Sequence, residues 1–391
     1  MTKRPRCIQV AFLPLLCAAA SAAYAQSVTL YGVADDALAF ANNQGGHSNF
    51  YMRTGNNAAS RFGLRGVEQL GGTTKAIFDL QEGFDINSGK QSSAGLMFNR
   101  QAFVGLQDTS YGTLTLGRQY TTYYQFLGPL GPVNMLTGAT GAHPGDVDGF
   151  DTTIRFNNSV QYVSPSLSGL SLGAQYGFGE IPGRTQAGSS VSAAAKYENG
   201  PLGLGVGYIR LYNTGNVQAL DPNASGSYGA SSVTAGFVSA RSVQHLAAAG
   251  LYRLGNVQVG LNYSNVRFDP GSNSLFLGKA VFNTYGVIAR YEATPQTDFA
   301  AGYSYTRASQ SNGISDAARY HQIALKEQYH FSKRTVLYAL QAYQHATGKT
   351  LGAAGGTQIV NATATVGDSQ NGSPSATGNQ FVGMLGIMHS F

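Results

Sequence analysis

Apolar residues recur at every second position along most of this chain. Leu170, Leu172, Ala174, Tyr176 and Phe178 alternate with Ser171, Gly173, Gln175 and Gly177. Val257, Val259, Leu261 and Tyr263 alternate with Gln258, Gly260, Asn262 and Ser264. Phe299, Ala301, Tyr303 and Tyr305 do the same with Ala300, Gly302, Ser304 and Thr306. A helix would gather apolar residues three and four apart; a spacing of two is the pleat of a β-strand. The second face decides the surroundings. It is mostly Gly, Ser, Thr, Asn and Gln, not the Lys and Glu with which a soluble sheet meets bulk water, and the apolar face ends in aromatics. That pairing fits a wet lumen inside and lipid, with aromatic girdles, outside.

The alternation divides the chain into about sixteen strands, an even number as bacterial barrels require. They begin near Ser27, Ala58, Thr73, Phe98, Gly112, Ile154, Gly169, Ser190, Leu202, Ser242, Val257, Ala280, Gln296, Ala317, Lys333 and Gly378. Connections alternate in length. Short ones include 69–72, 109–111, 199–201, 254–256, 294–295 and Ser332; long ones run near 43–57, 121–153, 214–241 and 348–377. Short periplasmic turns and long external loops are the two ends of an outer-membrane barrel. The stretches 214–232 and 350–378, rich in Gly, Ser, Ala, Thr and Asn, read as flexible external loops. No break in composition marks a second domain. Residues 26–391 are expected to form one all-β, 16-stranded antiparallel transmembrane β-barrel.

Residues 1–25 read as an export signal. Lys3, Arg4 and Arg6 form a basic start, Cys7 to Ala20 is an apolar run broken by Pro14, and Ala23-Tyr24-Ala25 supplies the small-x-small site for cleavage before Gln26. The run is too short to anchor in a bilayer. Cys17 invites a lipoprotein reading, but Leu16 stands where a lipobox needs Gly or Ala. Cys7 and Cys17 are the only cysteines and would leave with the signal, so no disulfide, thiol chemistry or Cys-based metal site is expected.

Composition narrows the class further. The formal charge is +6, from 25 basic and 19 acidic residues; without the three basic residues of the signal the excess is halved. So mild a balance argues against a nucleic-acid partner. Gly contributes 51 of 391 residues, nearly double the usual ~7%. Charged residues are 11%, against about 25% in an average soluble protein. Yet no apolar stretch approaches the ~20 residues of a membrane helix. A barrel is the remaining fold that can span lipid.

Several segments carry a family resemblance. Ser27-Val28-Thr29-Leu30-Tyr31-Gly32 resembles the opening strand of Gram-negative general porins of the β-proteobacterial type. So do Ser60-Arg61-Phe62-Gly63-Leu64-Arg65-Gly66 with Glu68, and the stretch from Ala76 to Phe84. Asn99 to Leu106, Gly112 to Gln119, Arg155 to Tyr162, Ser332-Lys333-Arg334-Thr335 and the Phe391 ending continue the series in order. The resemblance implies a homotrimer in the outer membrane, in contact with lipid and lipopolysaccharide, that passes small hydrophilic solutes with weak selectivity. It implies that the third external loop, Thr121 to Thr153, folds inward and narrows the pore. Phe391, His389, Ile387 and Leu385 share one face of the last strand, which resembles the signal read by the barrel-assembly machinery.

In this family, basic wall residues face acids on the inward loop. Motif matching places Arg61, Arg65, Arg100 and Arg155 on the wall, with Arg118 a secondary candidate. Parity supports this: Arg61 and Arg65 share a face opposite Phe62 and Leu64, and Arg100 lies opposite Phe103. A charge facing lipid at the midplane costs ~2–4 kcal/mol, so the parity bearing Arg should be the lumen. Alternatively each Arg pairs with a nearby acid or carbonyl and holds the third loop. Asp79 shares a face with Lys75, opposite Phe78 and Leu80. Enteric relatives carry an acidic Pro-Glu-Phe-Gly-Gly-like stretch on the loop; here Phe126 to Val133 has no acid, and Asp146, Asp148 and Asp151 come late. The acidic candidates are therefore Asp79, Asp146 and Asp148, and the excess of Arg implies a weak anion preference. Glu327 shares parity with Ile323, Leu325, Tyr329 and Phe331, so it points outward at a rim or marks a bulge.

Other chemistry is thin. The seven His show no H-E-x-x-H spacing, and no Gly-rich segment precedes Lys-Ser/Thr, so no metal, cofactor or phosphate site is expected. A barrel phospholipase or protease would need a nucleophile–base set, and none is visible. A secreted β-rich adhesin would be water-soluble, so membrane fractionation separates that reading.

Overall fold

The computed structural model describes residues 27–391 except 153, 214–230, 357 and 369–373. The expected export signal and its expected cleavage site lie outside the described residues. The strands, in chain order, are β1 (Ser27–Gln44), β2 (His47–Thr54), β3 (Arg61–Gly71), β4 (Thr74–Gly83), β5 (Gln101–Asp108), β6 (Gly112–Tyr120) and β7 (Arg155–Val163). They continue as β8 (Leu170–Gly177), β9 (Ser190–Asn199), β10 (Leu202–Tyr212), β11 (Ser242–Leu254), β12 (Val257–Asp269) and β13 (Ala280–Thr294). The last are β14 (Thr297–Ala308), β15 (Arg319–His330), β16 (Thr335–Thr347), the short pair β17 (Lys349–Leu351) and β18 (Ile359–Asn361), and β19 (Asn379–Ser390). Strands adjacent in the sheet pair antiparallel, and β19 closes the ring on β1, from Val33 opposite Ser390 to Ala41 opposite Val382. Closure leaves no unpaired edge, which lipid would penalise.

The wall is a 16-strand ring in which β2 and β3 are two halves of one wall strand. The lower part of β1, Ser27–Val33, pairs with β3, and its upper part, from Asp36, pairs with β2. At the break between the halves, the backbone leaves the ladder and Asp35 takes its place. The Asp35 carboxylate accepts the N–H groups of Asn56, Asn57 and Ala58 at 2.9–3.0 Å and the Tyr338 hydroxyl at 2.6 Å. Three backbone donors without ladder partners are thus satisfied by one buried acid.

Loop lengths alternate as expected, with one correction. The stretch 43–57 is not a long loop. β1 runs on to Gln44, turns at Gly45 and Gly46 (φ +60° and +99°) and returns as β2. Two successive left-handed residues are a tight hairpin that glycine enters freely. The outer face is the apolar one: in β15, His321, Ile323, Leu325, Glu327 and Tyr329 are exposed while Tyr320, Gln322, Ala324, Lys326 and Gln328 are buried inward. No register shift occurs in β15 against either neighbour, so Glu327 points outward without a bulge. It is followed on the outward row, toward the short turn, by Tyr329 and Phe331, whose rings meet edge to face at 5.2 Å. That is the interfacial aromatic zone, where a carboxylate costs little.

Candidate functional site

The long connection between β6 and β7 turns into the lumen. Thr121 starts it by accepting the Tyr124 N–H at 3.1 Å and capping helix α1 (Thr122–Leu127). The helix lies on a stripe of glycines, Gly203, Gly205 and Gly207, on the inner face of β10. A Cβ on Gly207 would stand 2.3 Å from Leu127 Cδ1, so only glycine leaves the helix room. The Thr122 and Ser192 hydroxyls meet at 2.9 Å and fix α1 to β9. Further along, Gly138 (φ +56°) packs on the Asn56 carbonyl at the break in the wall, where a Cβ would come within 1.9 Å.

The returning limb is latched to the far wall. Gln322 of β15 donates to the Ala142 carbonyl at 2.7 Å. Asp148, fully buried, takes the Ser264 hydroxyl at 2.6 Å and His143 Nδ1 at 2.7 Å. Its carbonyl accepts the Tyr123 hydroxyl at 2.8 Å and His245 Nδ1 at 2.9 Å. Burial pushes the Asp148 carboxyl up, but the charge and hydrogen bond of His143, the Ser264 bond and the charge of His245 outweigh it and hold the group below its ordinary range.

Between this loop and the opposite wall lies a cavity of about 220 Å³. Arg61, Gln81, Arg100 and Tyr120 line it from the wall, Tyr124, Asn134 and Asp151 from the inward loop, and Asp368 from the last long loop. Arg61 donates to the Ala59 carbonyl at 2.8 Å and Arg100 to Gln81 Oε1 at 3.0 Å. Among the described residues neither forms an ion pair, although the buried Glu82 carboxylate at the end of β4 feels the charge of Arg100. Arg100 and Arg155 lie over the Tyr120 ring at 5.7 and 5.2 Å. Burial, and then the neighbouring Asp151 carboxylate, hold the Tyr124 hydroxyl well above its ordinary value.

The sequence candidates divide into groups. Arg61, Arg100 and Arg155 cluster around Tyr120. Arg65 faces the lumen on β3 but is paired with Asp79 at 3.3 Å and lies over the Tyr31 ring at 4.7 Å. Asp79 also accepts the Tyr31 hydroxyl at 2.5 Å, so this acid stands on the basic wall and not across from it. Arg118 is outside the cavity: it sits at a register shift in β6, its Nε donating to the Asn99 carbonyl at 2.8 Å and its Nη1 to Asn157. The parity argument for Arg100 does not hold, because Phe103 is on the inward row opposite Asp79. Arg100 reaches the lumen because it precedes the first paired residue of β5 and turns onto Gln81. Neither Asp146 nor Asp148 lines the cavity. Asp146 accepts the Asp151 N–H at 3.1 Å and shapes the loop, and Asp148 is the latch.

The opposing acids are Asp151, which is the last of the three late acids, and Asp368, which sequence reasoning missed. The stretch 350–378 was expected to be flexible and external; its segment 362–368 is buried in the barrel. Gln344 clasps the Thr365 backbone, accepting its N–H at 2.7 Å and donating to its carbonyl at 2.9 Å, and Gln380 accepts the Val366 N–H at 2.7 Å. The signal was present as alternation: Ala362, Ala364 and Val366 are two apart, the spacing of a buried extended segment. On the last strand, Leu385, Ile387, His389 and Phe391 all lie on the outer face, and Phe391 exchanges two backbone hydrogen bonds of 3.0 Å with Gly32.

A closed barrel with an apolar outer belt, a polar lumen and an inward loop facing clustered arginines defines an outer-membrane channel. A family model described as Gram-negative porin matches residues 13–351, and the chain belongs to that family of the Gram-negative outer membrane. It is 34% identical over 231 residues to an outer membrane porin protein of Bordetella pertussis, covering 52% of this chain and 59% of that one. It is 33% identical over 206 residues to outer membrane porin protein 32 of Delftia acidovorans, covering 49% and 56%. These matches thus span little more than half the length of the curated relatives. Among solved structures, an anion-selective porin from Comamonas acidovorans superposes with a TM-score of 0.70 at 24% identity, covering 94% of this chain and all of that one. The trimer form of OmpT from Vibrio cholerae gives 0.63 at 18% identity, covering 94% and 100%. Both show the same fold.

Proposed function

We propose that this porin is a passive, water-filled channel for small hydrophilic solutes and ions with a weak preference for anions. The observation that carries the reading is the pair Arg61 and Arg100, lining the narrowed lumen with no ion pair among the described residues. Asp151 and Asp368 stand across from them, so a permeating ion crosses a transverse field, and Arg155 behind Tyr120 adds positive charge on the wall side. Selection of this kind needs lining charge and diameter only; no bond is broken, and the chain acts as a channel and not as a catalyst. In planar bilayers under a KCl gradient, the reversal potential should have the sign of chloride permeation. A potential of potassium sign would overturn the anion preference.

The signal at 1–25 is removed on export in this reading, and the Leu385-to-Phe391 face serves recognition by the barrel-assembly machinery. A homotrimer forms through the arc around β1, β2 and β19. There Leu38, Phe50 and Leu385 are 67, 81 and 66% exposed, and β1 and β19 carry no Lys or Arg. So large a bare patch on one arc suits contact between copies.

A further inference from the structure

Three glutamines on the inner wall face one another in register. Gln322 of β15 stands opposite Gln344 of β16, and Gln344 stands opposite Gln380 of β19. Directly opposed side chains on neighbouring strands are close enough to bond, and all three amides are buried. Gln344 Nε2 donates to Gln322 Oε1 at 2.7 Å and to the Thr365 carbonyl at 2.9 Å, while its Oε1 accepts the Thr365 N–H at 2.7 Å. Gln322 Nε2 donates in turn to the Ala142 carbonyl at 2.7 Å. Gln380 accepts the Val366 N–H at 2.7 Å and donates to the Asn43 carbonyl, also at 2.7 Å. A continuous chain of amides thus joins the returning limb of the inward loop, at Ala142, to the last long loop, at Thr365. The two loops also share an apolar floor. Met135 of the first and Val366 of the second lie in one buried cluster with Leu340, Ala342, Val382 and Met384.

We propose that Gln322, Gln344 and Gln380 are positioning residues for the acidic side of the channel: they tie the two loops into one unit and hold Asp368 at the narrowed lumen. This role rests on the proposed ion preference, since it governs how much of the Asp368 charge a permeating ion meets. The chain has no slack at its centre. Gln344 uses both amide hydrogens and its oxygen, and turning the amide over would set its N–H groups against the Thr365 N–H. Its direction then fixes that of Gln322, whose oxygen must accept from Gln344 and whose nitrogen is left to hold Ala142. Linked amides polarise and strengthen one another, so loss of one member weakens the hold on both loops. Asp368 stands three residues beyond Thr365 and two beyond Val366, the pair that the row grips, and lines the same cavity as Arg61 and Arg100. Glutamines that only lined a wet wall would bond water or one another. Here each of the three holds loop backbone.

Thiol labelling and reversal potentials together test the row. Ala364→Cys and Ala142→Cys, both at fully buried positions, should react slowly with a small charged methanethiosulfonate reagent. Gln344→Met should speed labelling at least tenfold at both positions, although Ala142 is bonded to Gln322. Gln322→Met should likewise speed labelling at position 364, on the loop that it does not itself hold. Heat-modifiable gel mobility reports an intact barrel; if Gln344→Met lacks it, Gln322→Met carries the labelling test and Gln380→Met the reversal potential. Labelling that quickens only on the loop each glutamine itself holds would overturn the coupling, and labelling that never quickens would overturn the row altogether. In a KCl gradient, Gln344→Met should move the reversal potential toward chloride as far as Asp368→Asn does, and should add nothing in the Asp368→Asn background. Full additivity of the two, or a silent Gln344→Met beside an active Asp368→Asn, would overturn the positioning of Asp368. A silent Asp368→Asn would instead count against the proposed ion preference, and the labelling then decides the coupling alone.

Discussion

At the scale of single residues, charge is settled by immediate neighbours more than by strand parity. Arg61 and Arg65 share a face of β3, yet Arg65 is neutralised by Asp79 and Arg61 is bonded only to a carbonyl. Asp148 shows the same point from the acidic side, since its partners His143 and Ser264 make it a clamp on the inward loop. Removing it by Asp148→Ala strands buried donors, at about 1–3 kcal/mol, and should raise conductance and current noise as the loop loosens. Because the folded Asp148 carboxyl is held below its ordinary value, its contribution is complete above that value and fades as pH falls through the depressed one. Acidification below about pH 4 should therefore loosen the loop in the parent protein. Asp148→Asn should show no such acid step; an identical acid step in that variant would contradict the clamp. Arg61 and Arg100 could be named from the sequence because each stands in a recognisable strand motif, but the same matching also named Arg118, which lies outside the cavity, and Arg65, which is paired with Asp79. The opposing acids could not be picked out, since the loop bearing them has no periodicity that fixes which side chains turn to the lumen.

At the scale of elements, the inward loop depends on what the wall omits. Small residues on the polar face of β10 were visible in the sequence, but their purpose was not, because the partner α1 comes from a connection 75 or more residues earlier in the chain. Gly207→Val would drive a side chain into Leu127, displace α1 and widen the lumen; the expected result is a higher single-channel conductance from a barrel of normal gel mobility. Unchanged conductance would show that the glycine seat does not hold the loop. The strands themselves were the most legible elements. The expected starts at Ala58, Phe98 and Ile154 fall within three residues of Arg61, Gln101 and Arg155. What escaped were the hairpin at Gly45-Gly46 and the inward segment 362–368. Both lie in stretches whose small polar composition looks the same whether the chain is free or clasped by Gln344 and Gln380.

At the scale of the molecule, one barrel presents two surfaces: a bare apolar arc at β1, β2 and β19, and a narrowed lumen with arginine on one side. Cys7 and Cys17 are the only cysteines and lie in the segment proposed to be removed on export, so single-cysteine variants of the exported barrel would report contacts cleanly. Phe50→Cys and Leu385→Cys should cross-link between copies with a short bismaleimide, and Leu246→Cys on the opposite arc should not; the reverse pattern would place the contact elsewhere. The sixteen-strand ring was readable from alternation and loop lengths, whereas the division of its outer face depends on which strands stand side by side, which only closure reveals. The central claim concerns the lumen, and the reversal potential in a KCl gradient tests it most directly. The parent protein should reverse on the chloride side, Arg61→Gln/Arg100→Gln should move clearly toward potassium, and Asp151→Asn/Asp368→Asn should move further toward chloride. A reversal potential indifferent to Arg61 and Arg100 would contradict the account.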